Sequence, residues 1–139
     1  MRKALERNTC ARETMPAVWF IRKNVLEAIL AASRNVFPRE FIGLLGGNAK
    51  ARQITEIVVL PADFGPDFSS IRLDLLPFDD SIVGSVHSHP SGSARPSRQD
   101  VSVFPKMGAV HLIVGISFQE TVFKAWDARG KELIVQVIE

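Results

Sequence analysis

The chain has 139 residues, of which 46% are hydrophobic and 23% are charged. The composition is typical of a globular domain with a buried core. From the length we expect one domain and no second sizeable one. The formal net charge of +2 comes from basic residues scattered among acidic ones, which argues against a nucleic-acid-binding surface. No apolar run approaches the roughly 18 residues of a membrane span, and the polar N-terminus lacks the features of a signal peptide.

We therefore expect a cytoplasmic protein that engages neither nucleic acid nor membrane. The single cysteine, Cys10, excludes an internal disulfide. It also lies in a charged stretch without a nearby histidine, so a cysteine nucleophile is not expected.

The first predicted elements follow a charged N-terminal arm, residues 1–16. A short apolar strand, AVWFI, leads into an amphipathic helix. Asn24 and Glu27 resemble a capping box at the start of this helix, and Pro38 is expected to end it.

The middle of the chain reads as strands separated by a loop. EFIGLLGG, residues 40–47, and ITEIVVL, residues 54–60, are short apolar or β-branched runs typical of buried strands. DFGPDFSS, residues 63–70, has the composition of a loop. The alternation of apolar and charged residues in IRLDLL, residues 71–76, predicts a half-buried strand.

The last part of the chain contains a further strand, a short helix and three more strands. The strand SIVGSVHSH covers residues 81–89, and the helix is expected to begin after Ser97 and to be limited by Pro105. The final strands are AVHLIVGI, TVFKAWD and ELIVQVI, the last two joined by a hairpin. Because helices and strands alternate, we predict one α/β domain over residues 17–139, with a mixed β-sheet flanked by helices.

Two of the three histidines, His87 and His89, lie at the end of a predicted strand. Side chains two residues apart point to the same face, so the two imidazoles could chelate one ion. The following loop returns to the predicted helix, where Ser97 would be the N-cap and Asp100 lies in the first turn. Two imidazoles and one carboxylate leave a fourth tetrahedral position open, as in catalytic zinc sites. The simpler alternative is a strand-end histidine pair beside an ordinary helix cap. The third histidine, His111, is expected to pack among apolar residues rather than bind metal.

The stretch HSHPSGSARPSRQD, residues 87–100, resembles the signature of the JAMM (JAB1/MPN/Mov34) metalloprotease family. In that signature H-x-H-P is followed by six residues and then by S-x-x-D, and every specified position is matched here by His87, His89, Pro90, Ser97 and Asp100. The likeness extends from about Ile21 to the end of the chain and is strongest to compact, single-domain archaeal members. It implies a cytidine-deaminase-like MPN domain.

The resemblance also implies roles for individual residues. His87, His89 and Asp100 would bind one Zn²⁺ per chain, with a bound water whose pKa falls from 15.7 to about 7. Glu40, at the head of EFIGLLGG, would transfer the proton, and Ser97 would stabilise the oxyanion. The spacing of Glu40 from the histidines does not itself place it near them.

The activity implied is that of a zinc-dependent isopeptidase. Such an enzyme hydrolyses the amide between the C-terminal glycine of a ubiquitin-like modifier and a lysine, so the expected partners are these modifiers and their lysine conjugates. The resemblance is also compatible with a homodimer. Two alternatives stay open: a peptidase that processes a β-grasp sulfur-carrier protein, and a non-catalytic MPN scaffold. A zinc nucleobase deaminase is set aside because it requires cysteine ligands in a P-C-x-x-C run. IRLDLL is a candidate edge for pairing with an extended modifier tail.

Overall fold

The computed structural model describes residues 16–60, 67–72, 74 and 79–139. Residues 1–15 of the predicted N-terminal arm lie outside this part. The described chain contains, in order, β1 (Val18–Arg22), α1 (Lys23–Val36), β2 (Ile42–Asn48), β3 (Gln53–Val59), a 3-10 turn (Phe68–Ser70), β4 (Ile82–His89), α2 (Arg98–Val103), a second 3-10 turn (Phe104–Lys106), β5 (Val110–Ile116), β6 (Thr121–Trp126) and β7 (Glu132–Ile138).

The strands form one closed sheet in the order β1-β3-β2-β4-β5-β6-β7, with β7 returning to pair with β1. The pairs β1–β3, β1–β7 and β4–β5 are parallel, and the remaining pairs are antiparallel. The parallel pair β4–β5 needs a crossover, and the chain segment containing α2 provides it. The predicted mixed α/β architecture is confirmed, and the closure into a barrel is an addition to it.

The core consists of two groups of buried apolar side chains. The first lies between α1 and the sheet, where Val25 and Ile29 of the helix pack against residues such as Ile21, Leu45 and Leu112. The second group lies around the 3-10 turns and α2 and contains Leu44, Phe68, Ile71, Val103, Phe104, Met107, Ile113 and Trp126. This second group supports the end of β4 where the two histidines lie.

Two predictions of local structure are wrong. The helix α1 has Arg22 as its N-cap, without a side-chain hydrogen bond, because β1 runs directly into the helix and Asn24 is already inside its first turn. Within the predicted strand IRLDLL, Ile71, Arg72 and Asp74 are not in a strand, and the other three residues lie outside the described part. The closed sheet explains this result, since each described strand already has two neighbours. Among the described strands, no free sheet edge is left for Ile71, Arg72 or Asp74 to join.

The helices in the described part of the chain are short. The longer of the two α-helices, α1, has 14 residues. No helix among the described residues is both long and apolar enough to cross a membrane.

Candidate metal centre

The histidine pair lies at the end of β4, a strand held between β2 and β5. His87 is completely buried, whereas the side chain of His89 is 18% exposed. The two Nε2 atoms are 3.0 Å apart, so both imidazoles present a nitrogen to the same point. The same-face projection expected for residues two apart on a strand is therefore present.

Asp100 reaches this point because a reciprocal cap begins α2. The Ser97 Oγ atom accepts a hydrogen bond from the backbone N–H of Asp100 at 3.0 Å. The Asp100 carboxylate in turn accepts one from the backbone N–H of Ser97 at 2.9 Å. The same carboxylate oxygen, Oδ2, lies 3.2 Å from Nε2 of His89 and 3.3 Å from Nε2 of His87. The predicted capping box is confirmed, and it also orients the carboxylate toward the histidines.

The three donor atoms have the spacing that a small tetrahedral ion requires. Their mutual separations are 3.0, 3.2 and 3.3 Å. Zinc bonds to histidine nitrogen and carboxylate oxygen are about 2.0–2.1 Å long, so two corners of such a tetrahedron are about 3.3 Å apart. The triangle formed by His87, His89 and Asp100 thus fits one face of a zinc coordination sphere.

Glu40 lies beside the histidines because of the register between β2 and β4. These strands are antiparallel, with Ile42 opposite His87. Just beyond that pair, the backbone N–H of Ser88 donates to Phe41 O at 2.9 Å, and the Phe41 N–H donates to Ser88 Oγ at 2.8 Å. Glu40 is therefore carried to the end of β4, where its carboxylate and the nitrogens of His87 and His89 all lie within 4.8 Å of one another. These three residues form a candidate metal-binding group in their own right.

The two carboxylates of the site differ in their electrostatic surroundings. Burial alone would raise the pKa of Asp100, but hydrogen bonds with His87 and His89 hold it well below its usual range. Burial raises the pKa of Glu40, and the N–H of Phe68, 3.3 Å from Oε1, only partly offsets that effect. The ionised form of Asp100 is therefore favoured, whereas Glu40 is the more readily protonated of the two.

The two histidines are held by different contacts. Nδ1 of His89 lies 3.0 Å from the carbonyl oxygen of Ser93, so Nδ1 carries a proton and Nε2 is the nitrogen that could bind an ion in place of its contact with Asp100. Nδ1 of His87 is buried and has no hydrogen-bond partner among the described residues. Instead, the ring of Phe68 stacks on this imidazole, with centroids 4.0 Å apart and planes 6° from parallel.

His111 forms a separate buried pair with Ser85. Its Nδ1 atom is 2.7 Å from Ser85 Oγ, its Nε2 atom is 2.9 Å from Gly108 O, and its ring stacks on Phe104. Both nitrogens are thus occupied away from the three donor atoms, in agreement with the packed role expected for this histidine. The sequence analysis missed the pair. Its only signal is that Ser85 lies two residues before His87, on the same face of β4.

We expect His111 to make folding stability depend on pH. Burial lowers the pKa of His111 to about 4, from about 6.5 in an unfolded chain. The folded protein therefore binds this proton less readily, and stability is lost as the pH falls from about 6.5 toward 4. Between pH 7 and 4.5 the loss from this group is about 2–3 kcal/mol.

The measurement is urea unfolding of the wild type and of His111→Gln at both pH values. The variant should lose less stability on acidification than the wild type does, by about that amount. Equal losses in the two proteins would contradict the role given to His111.

The closed mixed sheet and the paired histidines at the end of β4 define a JAB/MPN domain with a metalloprotease-like site. Residues 22–129 match the family described as prokaryotic homologs of the JAB domain, so the chain belongs to this family. This confirms the membership predicted from the motif HSHPSGSARPSRQD.

Two of the similar proteins come from archaea, and a third is a structure described by its JAMM zinc site. The chain is 33% identical over 128 residues to a "probable metalloprotease" of Haloferax volcanii, covering 86% of this chain and 79% of that protein. It resembles the crystal structure of a JAB1/MPN domain protein from Archaeoglobus fulgidus, with 32% identity, a TM-score of 0.64, and coverage of 86% of this chain and 98% of the other. It also resembles a structure described as "JAMM: a metalloprotease-like zinc site in the proteasome and signalosome", with 30% identity, a TM-score of 0.65, and coverage of 88% and 100%.

Proposed function

We propose that this protein is a zinc-dependent isopeptidase that binds one Zn²⁺ through His87, His89 and Asp100. The observation that carries the proposal is the triangle of donor atoms, with separations of 3.0–3.3 Å, at the end of β4. Two imidazoles and one carboxylate are a ligand set that suits zinc and leaves one coordination position for catalysis.

Asp100, rather than Glu40, is assigned as the third ligand. The Asp100 carboxylate lies within 3.3 Å of both Nε2 atoms, whereas the group containing Glu40 extends to 4.8 Å. Asp100 is also held by the helix cap and stays ionised, as a ligand must. Glu40 lies beside the ligands, at a distance that suits contact with the attacking water.

The chemistry divides between the ion and the protein. When bound, zinc polarises the scissile carbonyl and makes a water nucleophilic near neutral pH. A carboxylate oxygen of Glu40 accepts the proton that this water loses as its oxygen attacks the carbonyl carbon. When the carbon–nitrogen bond breaks, Glu40 returns that proton to the amine nitrogen. Its raised pKa suits both transfers, because a proton shuttle works best when its pKa is near the working pH.

Ser97 is proposed to donate a hydrogen bond to the oxyanion that forms on the carbonyl. Its Oγ atom accepts from Asp100 N–H, which leaves the hydroxyl hydrogen free for another acceptor. The residue is exposed at the N-terminus of α2, next to the ligand Asp100. The cap and the catalytic role therefore use different parts of one hydroxyl group.

Two substitutions separate these roles of Ser97. Ser97→Ala removes both and should cost about 0.5–2 kcal/mol of stability, whereas Ser97→Gly should cost only a few tenths. Both variants lose the donor, so each should lower kcat about 100- to 1,000-fold. Urea unfolding and single-substrate kinetics measure the two effects. If kcat falls only in the variant that loses stability, Ser97 acts as a cap alone.

The proposed substrate is the amide between the C-terminal glycine of a ubiquitin-like modifier and a lysine of its conjugate. The support is the family membership, together with the limited exposure of the proposed ligands, since His87 is buried and the His89 side chain is 18% exposed. A scissile residue without a side chain suits such a confined approach. A cytoplasmic location and a homodimeric state belong to the same proposal, and cell fractionation and light scattering test them.

The deciding experiment combines metal analysis with cleavage. We expect one zinc per chain by mass spectrometry, and hydrolysis of modifier–lysine conjugates that stops on chelation and returns with zinc. A protein that takes up no zinc would be a scaffold. A zinc protein that cleaves only a linear C-terminal extension of a β-grasp carrier would be the alternative peptidase.

A further inference from the structure

Among the residues that the structure describes, none makes with the ring of His87 the hydrogen bond that usually orients a metal-binding histidine. Such a histidine commonly donates its second N–H to a carboxylate, a carbonyl or water. His89 follows this pattern through Ser93 O. Nδ1 of His87 is buried without a partner among the described residues, although this imidazole is the less exposed of the two. Within the described part of the chain, a contact other than a hydrogen bond at Nδ1 therefore orients the ring.

Phe68 is in contact with the face of that ring. The two planes are 6° from parallel and their centroids are 4.0 Å apart. Phe68 is itself completely buried and packs against Phe104, with ring centroids 5.8 Å apart. A flat side chain fixed in this way blocks rotation of the imidazole about its last side-chain torsion, which is otherwise a soft one.

The segment that carries Phe68 is well anchored. Its 3-10 turn is capped by Asp67, whose side chain accepts hydrogen bonds from Ser70 N–H and from the Ser69 hydroxyl, each at 3.0 Å. The backbone N–H of Phe68 donates to Glu40 Oε1 at 3.3 Å. One residue therefore contacts a proposed metal ligand through its ring and the proposed proton shuttle through its main chain.

We propose that Phe68 is the positioning residue of the metal centre, orienting the lone pair of His87 by ring stacking in place of a hydrogen bond. The inference rests on the proposed function, because His87 must be a ligand. Loss of an outer-shell partner typically lowers metal affinity 10- to 100-fold. A leucine at position 68 would fill much of the space without presenting a flat face, so an effect of that size is expected for Phe68→Leu.

The fold contains a matched control. Phe104 is also completely buried and also stacks on a histidine, His111, with centroids 4.1 Å apart and planes 7° from parallel. His111 is not a proposed ligand. Phe104→Leu therefore removes a phenylalanine of equal burial and similar stacking that contacts Phe68 but no proposed ligand, so it measures how much zinc affinity depends on packing around Phe68 alone.

The experiment measures zinc affinity by competition with a chromophoric chelator, and thermal unfolding of the metal-free proteins. We expect both variants to lose similar stability, while Phe68→Leu binds zinc 10- to 100-fold more weakly and Phe104→Leu stays within about threefold of wild type. Phe68→Met, whose flexible side chain has about the volume of leucine and no ring, is measured in parallel and should show the same loss of zinc affinity. It tests the inference if the leucine variant does not fold.

The outcomes distinguish this inference from the proposed function. If Phe68→Leu and Phe68→Met bind zinc as tightly as wild type, Phe68 has no positioning role and the zinc site stands. If the wild-type protein binds no zinc, the proposed function fails and this inference fails with it.

Discussion

Glu40→Gln is expected to abolish hydrolysis while leaving zinc binding intact. Glutamine has nearly the same shape and can still accept the hydrogen bond from Phe68 N–H, but it cannot take a proton from water. General acid–base catalysis typically accelerates a reaction about 10²- to 10⁴-fold, so kcat should fall by at least about 100-fold. Steady-state kinetics on a modifier–lysine conjugate and zinc content by mass spectrometry measure the two effects.

The matched control is Glu27→Gln, which makes the same change at an exposed position of α1. It should leave both kcat and zinc content unchanged. A fully active Glu40→Gln enzyme would exclude Glu40 as the proton shuttle. A variant that loses its zinc would show instead that Glu40 is a ligand, as its position within 4.8 Å of both histidines allows.

His89→Ala is expected to lose zinc without unfolding. The substitution removes one of three protein donors, so affinity should fall by more than the 10- to 100-fold caused by losing an outer-shell partner. The fold should survive, because His89 is partly exposed and belongs to neither of the two groups of buried apolar side chains that form the core. For the same reason the chelated wild-type protein should stay folded, unlike a zinc finger.

Metal analysis and circular dichroism check this prediction, with His111→Gln as the control. That variant changes a histidine that bonds to Ser85 and Gly108, away from the donor atoms, so it should retain stoichiometric zinc. Stoichiometric zinc in His89→Ala would remove His89 from the ligand set. Cooperative unfolding of the wild type on chelation would make the ion structural.

The functional motif could be predicted from the sequence because its geometry is local. Alternation along a strand makes His87 and His89 face one way, and the pattern Ser97-x-x-Asp100 is a helix cap whatever surrounds it. The one further requirement was that the short loop between β4 and α2 bring the helix back to the histidines. In the structure it does so, with Asp100 Oδ2 within 3.3 Å of both Nε2 atoms. The mixed sheet was predictable for a similar reason, since apolar periodicity identifies strands one at a time.

Local patterns gave misleading results where tertiary packing had the larger effect. Asn24 and Glu27 have the spacing of a capping box, but β1 continues into α1 and moves the N-cap to Arg22. The alternation in IRLDLL is typical of a strand, yet its described residues Ile71, Arg72 and Asp74 lie outside the sheet, whose described strands close on themselves through the pairing of β7 with β1. Neither constraint is visible in a window of a few residues.

The sequence by itself determined the proposed metal-binding motif, its helix cap and the family, because each depends on residues close together in the chain. Only the tertiary structure decided how Glu40 reaches the histidines, through the antiparallel register that sets Ile42 opposite His87. It alone also decided that Phe68 stacks on His87, a contact between separate segments. Register and side-chain stacking depend on which distant segments pack together in the core. The spacing of residues along the sequence does not identify those segments.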